Sequence, residues 1–198
     1  MSSTFTIALS LSQPINPTDC PAHQEFQHWF AACYAQTQAI GLNTLPNQSF
    51  NQNQPSNHKH EISLRVCTPK EMAQLNHQYR NKPTTTNVLA FPAKHPTLTD
   101  NLCIPAEENI TPLGDIVFCA HTIQQEAKEQ HKQLKQHWAH ISIHGLLHLK
   151  GFDHETTQDA EEMEALETQV LAALGFPNPY THQDSQRLTE QAAEQPSS

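Results

Sequence analysis

Three histidines, His144, His148 and His154, stand in the pattern HxxxHxxGxxH inside the run LKQHWAHISIHGLLHLKGFDHE, residues 134–155. In a helix, residues four apart share a face about one turn, ~6 Å, along the axis. His144 and His148 can therefore reach one cation together. Gly151 is the residue type that ends a helix in a left-handed turn, and the chain doubling back after it can supply His154 as a third nitrogen. Three imidazoles with an open fourth position make a catalytic zinc site; such an ion lowers the pKa of bound water toward ~7 and can polarise a phosphoryl oxygen. With 14 histidines in 198 residues, accident has to be weighed. Partners at +4 and +10 with Gly at +7 are expected by chance only about 0.002 times in such a chain, so the triad is read as a site for one zinc ion and not as packed or surface histidines.

The same spacing occurs in zinc peptidases as HExxHxxGxxH, where the Glu after the first His is the general base. Here that position is Gly145. A glycine accepts no proton, so either the chemistry is not peptide hydrolysis or the base comes from elsewhere in the chain.

The elements that must position these residues follow from periodicity and capping. TFTIALSL (4–11) alternates as a half-buried strand does. Asp19 is expected to cap a helix with Pro21 in its first turn and Phe26, Trp29, Phe30, Cys33, Tyr34 and Ile40 on one face. Residues 43–60 shift to Asn, Gln, Ser and His and read as a mobile insertion, with His58 and His60 read as solvated. EISLRVC (61–67) alternates as a strand. Thr68, Pro69 and Glu71 open a helix to about Tyr79, with Met72, Leu75 and Tyr79 inward. Val88 to Phe91 is a short strand that Pro92 places at a sheet edge, residues 94–112 are a loop, and LGDIVFCA (113–120) is a buried strand. Thr122 with Gln125 caps a short helix to about His131. The histidine helix follows, and Thr156 with Asp159 caps a last one carrying Met163, Leu166, Val170, Leu171 and Leu174, ended by Gly175 and Pro177. Four strands and about five helices without βαβ alternation predict an α+β domain over residues 1–180, with a frayed tail at 181–198.

Composition narrows the setting. Five cysteines form no CxxC pair and leave an odd one over, which argues for a reducing compartment and for histidine-only zinc ligands. The chain has no apolar run near the ~20 residues of a membrane span, so a cytoplasmic protein is expected. A net charge of −9 argues against a general nucleic-acid coat but leaves room for a local basic patch.

HGLLHLKGFDH (144–154) resembles HGxLHLxGYDH, the signature of the bacterial YbeY family of rRNA maturation factors. NHQYRNKPTTTNVLAFP (76–92) is similar to that family's NxxYR...TNVLSFP block, LGDI (113–116) to its LGDI strand, and EEMEALETQVLAALGFPNPY (161–180) to its last helix. The likeness covers most of residues 61–180. Departures are mild: Ala90 stands where Ser is common, Phe152 where Tyr is usual, and Asn87 where Asp or Asn occurs. The resemblance implies a small mixed sheet packed with about five helices in a zincin-like arrangement. It implies a metal-dependent, single-strand-specific endoribonuclease acting on ribosomal RNA, with ribosome-associated partners and no membrane. It places the zinc ligands on His144, His148 and His154 and the functional arginine of the YR pair on Arg80.

Arg80 has a fixed charge and a planar fork that matches phosphate geometry; without the resemblance, a solvated helix-end arginine is the better reading. Asp115 is balanced between orienting a ligand and satisfying backbone donors. Asp153 lies beside His154 but more often such an acid caps or faces water. Lys59, Arg65, Lys82 and Lys150 are RNA contacts by sign alone. Three functions stay open: a zinc endoribonuclease, a peptidase-like zinc hydrolase, and a noncatalytic ribosome-assembly factor with structural zinc, which the missing fourth protein ligand opposes.

Overall fold

A computed structural model describes residues 4–39, 59–93 and 110–181. The order along the chain is β1 (Thr4–Leu11), a 3-10 turn (Pro17–Asp19), α1 (His23–Ala39), β2 (Lys59–Cys67), α2 (Pro69–Arg80), β3 (Val88–Pro92), β4 (Ile110–Cys119), α3 (Ala120–Glu129), α4 (Leu134–Leu149) and α5 (Thr157–Ala173). The four strands form one sheet in the order β1-β2-β4-β3. β1, β2 and β4 run parallel, and β3 runs antiparallel to β4 at the edge. The sheet is mixed and the class is α+β, as the pattern of elements predicts.

Strand alternation gives the two faces different tasks. His60, Ile62, Leu64 and Val66 of β2 point one way and are buried; Lys59, Glu61, Ser63 and Arg65 point the other and are exposed. Ile62, Leu64, Val66, Ile116 and Phe118 share a core with Phe26, Trp29 and Phe30 of α1, Trp138, Ile143 and Leu146 of α4, and Leu166, Val170 and Leu171 of α5. On the opposite face α2 seals a smaller cluster, Met72 against Cys67, Leu89, Val117 and Cys119. α4 lies in the main core with side chains buried on nearly every side, from Trp138 to Leu149. Such a helix is a core element, not a surface one.

Several local expectations are corrected. β2 begins at Lys59 and β4 at Ile110, because Lys59, His60 and Glu61 pair in parallel with Ile110, Thr111 and Pro112. Polar composition and a register shift between Glu61 and Ile62 hid these strand starts. His60 is no loop residue: it is 2% exposed, with its ring 5.5 Å from Phe5 and 4.7 Å from Tyr34. Residues 43–58 of the expected insertion, 94–109 of the expected loop, Ile40 and the tail from 182 lie outside the described residues. Asp19 closes the 3-10 turn, and α1 is capped instead at Ala22, whose N–H donates to Glu25 Oε2 at 2.9 Å. Thr122 is already inside α3, its hydroxyl donating to Cys119 Sγ at 3.2 Å. Tyr79 is 58% exposed, and Asn76 takes the buried place, donating to the Thr84 carbonyl at 2.7 Å. Thr68 and Thr156 cap α2 and α5 as expected, accepting from Glu71 and Asp159.

Candidate metal centre

α4 carries His137, His140, His144 and His148 along one face, at spacings of three and four. It ends with Gly151 at φ 86°, its N–H on the His148 carbonyl and the Phe152 N–H on the Leu147 carbonyl. These are the two bonds of a left-handed helix stop that only glycine adopts without strain. The turn sends the chain back toward the helix and delivers His154. One ring nitrogen from each of His144, His148 and His154 lies within 4.8 Å of the others, and the ring centroids are 4.6, 5.1 and 5.8 Å apart.

Hydrogen bonds select which nitrogens face inward. His148 Nδ1 donates to the Phe152 carbonyl at 3.0 Å, and His144 Nδ1 donates to Glu167 Oε1 at 2.8 Å. With Nδ1 protonated, each neutral ring turns an Nε2 lone pair toward the centre. The two Nε2 atoms are 3.1 Å apart, close to the ~3.3 Å that two tetrahedral nitrogens span on zinc. Two lone pairs at that distance repel unless a cation lies between them, so the donor set fits a metal. Burial, and then the charges of His144 and His154, push His148 down to about 4; it is neutral at pH 7, as a ligand must be.

Glu167 was not singled out in the sequence. It has no exposed surface and also accepts from His140 Nε2 at 3.0 Å and from the Tyr180 hydroxyl. Burial alone would raise its carboxyl, but donors from His140 and His144 outweigh it and hold the group down to about 2. A signal was present: 163, 166, 167, 170, 171 and 174 trace one helical stripe, and Glu167 is the charged member of an otherwise apolar set. A charge on a core face requires partners.

Gly145 faces the sheet. A Cβ there would lie 3.1 Å from Ile116 Cγ2 and 3.4 Å from Val88 Cγ2, so a glutamate at this position would enter the core. The peptidase base has no room at its usual place. Arg80 is exposed at the end of α2, on the sheet face opposite α4, and makes no ion pair with the described residues. β3 lies between the two elements: Phe91 meets Tyr79 at 4.9 Å on one side, and Val88 approaches Gly145 on the other. The other charge-based contacts divide. Arg65 is paired with Glu71 at 2.6 Å. Lys150 is buried, its Nζ donating to Thr37 Oγ1 at 2.5 Å and lying over the Tyr34 ring; neither offers a free charge. Lys59 and Lys82 are exposed. Asp115 is exposed on the α2 side, in register with Ser63 and Phe91, away from the histidines. Asp153 Oδ1 accepts the His154 N–H at 2.8 Å and so steadies the loop.

A mixed sheet laid over a core helix that gathers three histidines, with no carboxylate after the first of them, defines a class of candidate metal-site proteins distinct from the peptidases that share its spacing. The family model described as endoribonuclease YbeY matches residues 32–175. An endoribonuclease YbeY of Colwellia psychrerythraea is 38% identical over 175 residues, covering 88% of this chain and 97% of that one. One of Pseudomonas putida is 46% identical over 129 residues, covering 65% and 77%. A solution structure of a Thermotoga maritima protein aligns over 85% of this chain and 91% of that one at 17% identity and a TM-score of 0.45. The chain belongs to the endoribonuclease YbeY family, hydrolases that cut RNA internally. Among the described residues, no helix is long and apolar enough to cross a membrane.

Proposed function

We propose that this chain is a zinc-dependent endoribonuclease for single-stranded RNA, acting in ribosomal RNA processing, including maturation of the 16S 3′ end, and in ribosome quality control. It works in the cytoplasm beside ribosome-associated proteins, as one domain over residues 1–180. The observation that carries the reading is the pair of inward Nε2 atoms of His144 and His148, 3.1 Å apart, each with its Nδ1 already engaged. His144, His148 and His154 would hold one zinc ion. When bound, the ion supplies Lewis acidity toward a phosphoryl oxygen and activates water near neutral pH.

The remaining work belongs to the chain. Glu167 and the Phe152 carbonyl keep two imidazoles in the ligand tautomer. Arg80 is the candidate phosphate holder: its guanidinium offers two parallel donors and a fixed charge to a backbone phosphate of the bound strand. β3, the edge strand between α2 and α4, has no further strand outside it among the described residues, so an extended RNA strand can cross it from Arg80 to the histidines.

The test sets zinc-loaded protein against single-stranded RNA, duplex RNA and casein, with His148→Ala as the control. Cleavage of single strands alone, lost in the variant together with bound zinc, is expected. Casein hydrolysis would favour a peptidase, and RNA binding without cleavage would favour an assembly factor.

A further inference from the structure

Glu167 has more donors than His144 requires. Its Oε1 accepts from His144 Nδ1, while Oε2 accepts from the Tyr180 hydroxyl and from His140 Nε2. His140 and His144 belong to α4, but Tyr180 comes from the turn that follows α5. That turn is fastened at several points. Gly175, at φ 79°, ends the helix, and the Phe176 N–H returns to the Leu171 carbonyl at 2.9 Å. Asn178 Oδ1 accepts the Tyr180 N–H at 2.8 Å and the Thr168 hydroxyl at 3.5 Å, and Gln136 donates to the Pro177 carbonyl at 3.5 Å. The Tyr180 ring meets His140 edge-on, with centroids 5.4 Å apart and planes at 86°. Burial and the charge of Glu167 raise the Tyr180 pKa, so the phenol keeps the proton it donates.

We propose that Tyr180 is a positioning residue for the metal centre: its hydroxyl fixes the Glu167 carboxylate against His144, so the 175–181 turn is a latch coupling metal affinity to docking of that turn. The inference rests on the reading of the triad as a metal site. The physical chain is short. A carboxylate without exposed surface needs donors on both oxygens. When the Tyr180 hydroxyl is gone, Oε2 keeps only His140, and the group can turn toward it. His144 then loses the acceptor that keeps Nδ1 protonated and Nε2 bare, and a ring in the other tautomer presents a proton to the metal. Coupling is reciprocal: a metal that binds better with the turn docked also holds the turn docked.

Tyr180→Phe keeps the ring and removes only the hydroxyl, and Asn178→Ala loosens the turn by removing the acceptor of the Tyr180 N–H while leaving the Tyr180 hydroxyl and Glu167 unaltered. The metal-stripped full chain is titrated with Co2+, followed by its visible absorption bands, and amide hydrogen exchange of 176–181 is measured with and without the ion. Both variants are expected to melt cooperatively yet bind Co2+ about 10-fold more weakly. In the wild type Co2+ should slow exchange across 176–181, and in the variants this protection should shrink. Equal Co2+ affinity and equal protection in wild type and both variants would overturn the latch alone. A wild type that takes up no Co2+ would overturn the latch together with the metal reading.

Discussion

An imidazole offers two nitrogens, and the partner of one decides what the other can do. The backbone after Gly151 supplies that partner for His148, and Glu167 supplies it for His144. Spacing made the three histidines legible, because a helical turn fixes where residues four apart must lie, and Gly151 announced the reversal. Glu167 was harder to see, since its donors come from α4 and from beyond α5, contacts that only the tertiary fold creates. Arg80 separates substrate handling from metal binding. Arginine is never deprotonated in proteins and cannot be a ligand, so Arg80→Glu should retain the full metal content measured by elemental analysis. It should nevertheless lose RNA cleavage by about 100-fold or more, having reversed the charge that meets the phosphate. Arg80→Lys should fall between the two, since lysine keeps the charge without the fork. Wild-type cleavage of the same RNA by Arg80→Glu would return Arg80 to the solvated surface.

At the scale of elements, one contact within the sheet and one between α3 and α4 each make a prediction. Gly114 of β4 sits at φ 129°, paired with Pro92 of β3, and a Cβ there would lie 2.1 Å from the carbonyl oxygen of the residue preceding that proline, Phe91. Gly114→Ala combines a strained backbone with that collision, so it should cost at least ~3 kcal/mol of stability, read from urea unfolding; a wild-type midpoint would contradict the geometry. Glu126 of α3 accepts from His137 of α4 at 2.7 Å and from Asn87, just before β3, at 3.0 and 3.2 Å. Burial alone would raise its carboxyl, but these donors outweigh it and leave the pKa below the ordinary value. A carboxyl lowered on folding contributes stability that is fully present above its unfolded pKa of ~4.3 and is lost as pH falls through the folded value. Glu126→Gln should therefore be ~1–2 kcal/mol less stable than wild type at pH 7, and the gap should be smaller at pH ~3, below the ordinary carboxylate range. A gap unchanged between the two pH values would show that charge is not what Glu126 contributes. The strands were legible wherever alternation was clean. The first residues of β2 and β4 were not, because their pairing is set by neighbours across a register shift rather than by their own apolar content.

At the scale of the molecule the difficulty is charge, since a chain of net −9 has to hold a polyanion. Among the described residues, Arg65 and Lys135 are paired with Glu71 and Glu25, and Lys150 is buried. Arg80 and Lys82 make no ion pair among the described residues and are close in sequence, exposed where α2 gives way to the segment entering β3. A local pair on an acidic protein implies few neutralised phosphates and few counterions released. With ~2 phosphates engaged, the affinity for single-stranded RNA should fall with a log–log salt slope of about −1.4, roughly 7-fold between 50 and 200 mM salt. Binding measured on His148→Ala, which should not cut the probe, isolates this term from catalysis. Arg80→Glu should bring the slope close to zero, because the added acid cancels what Lys82 contributes. A wild-type slope steeper than about −3 would mean that a broader cationic surface holds the RNA than the described residues present.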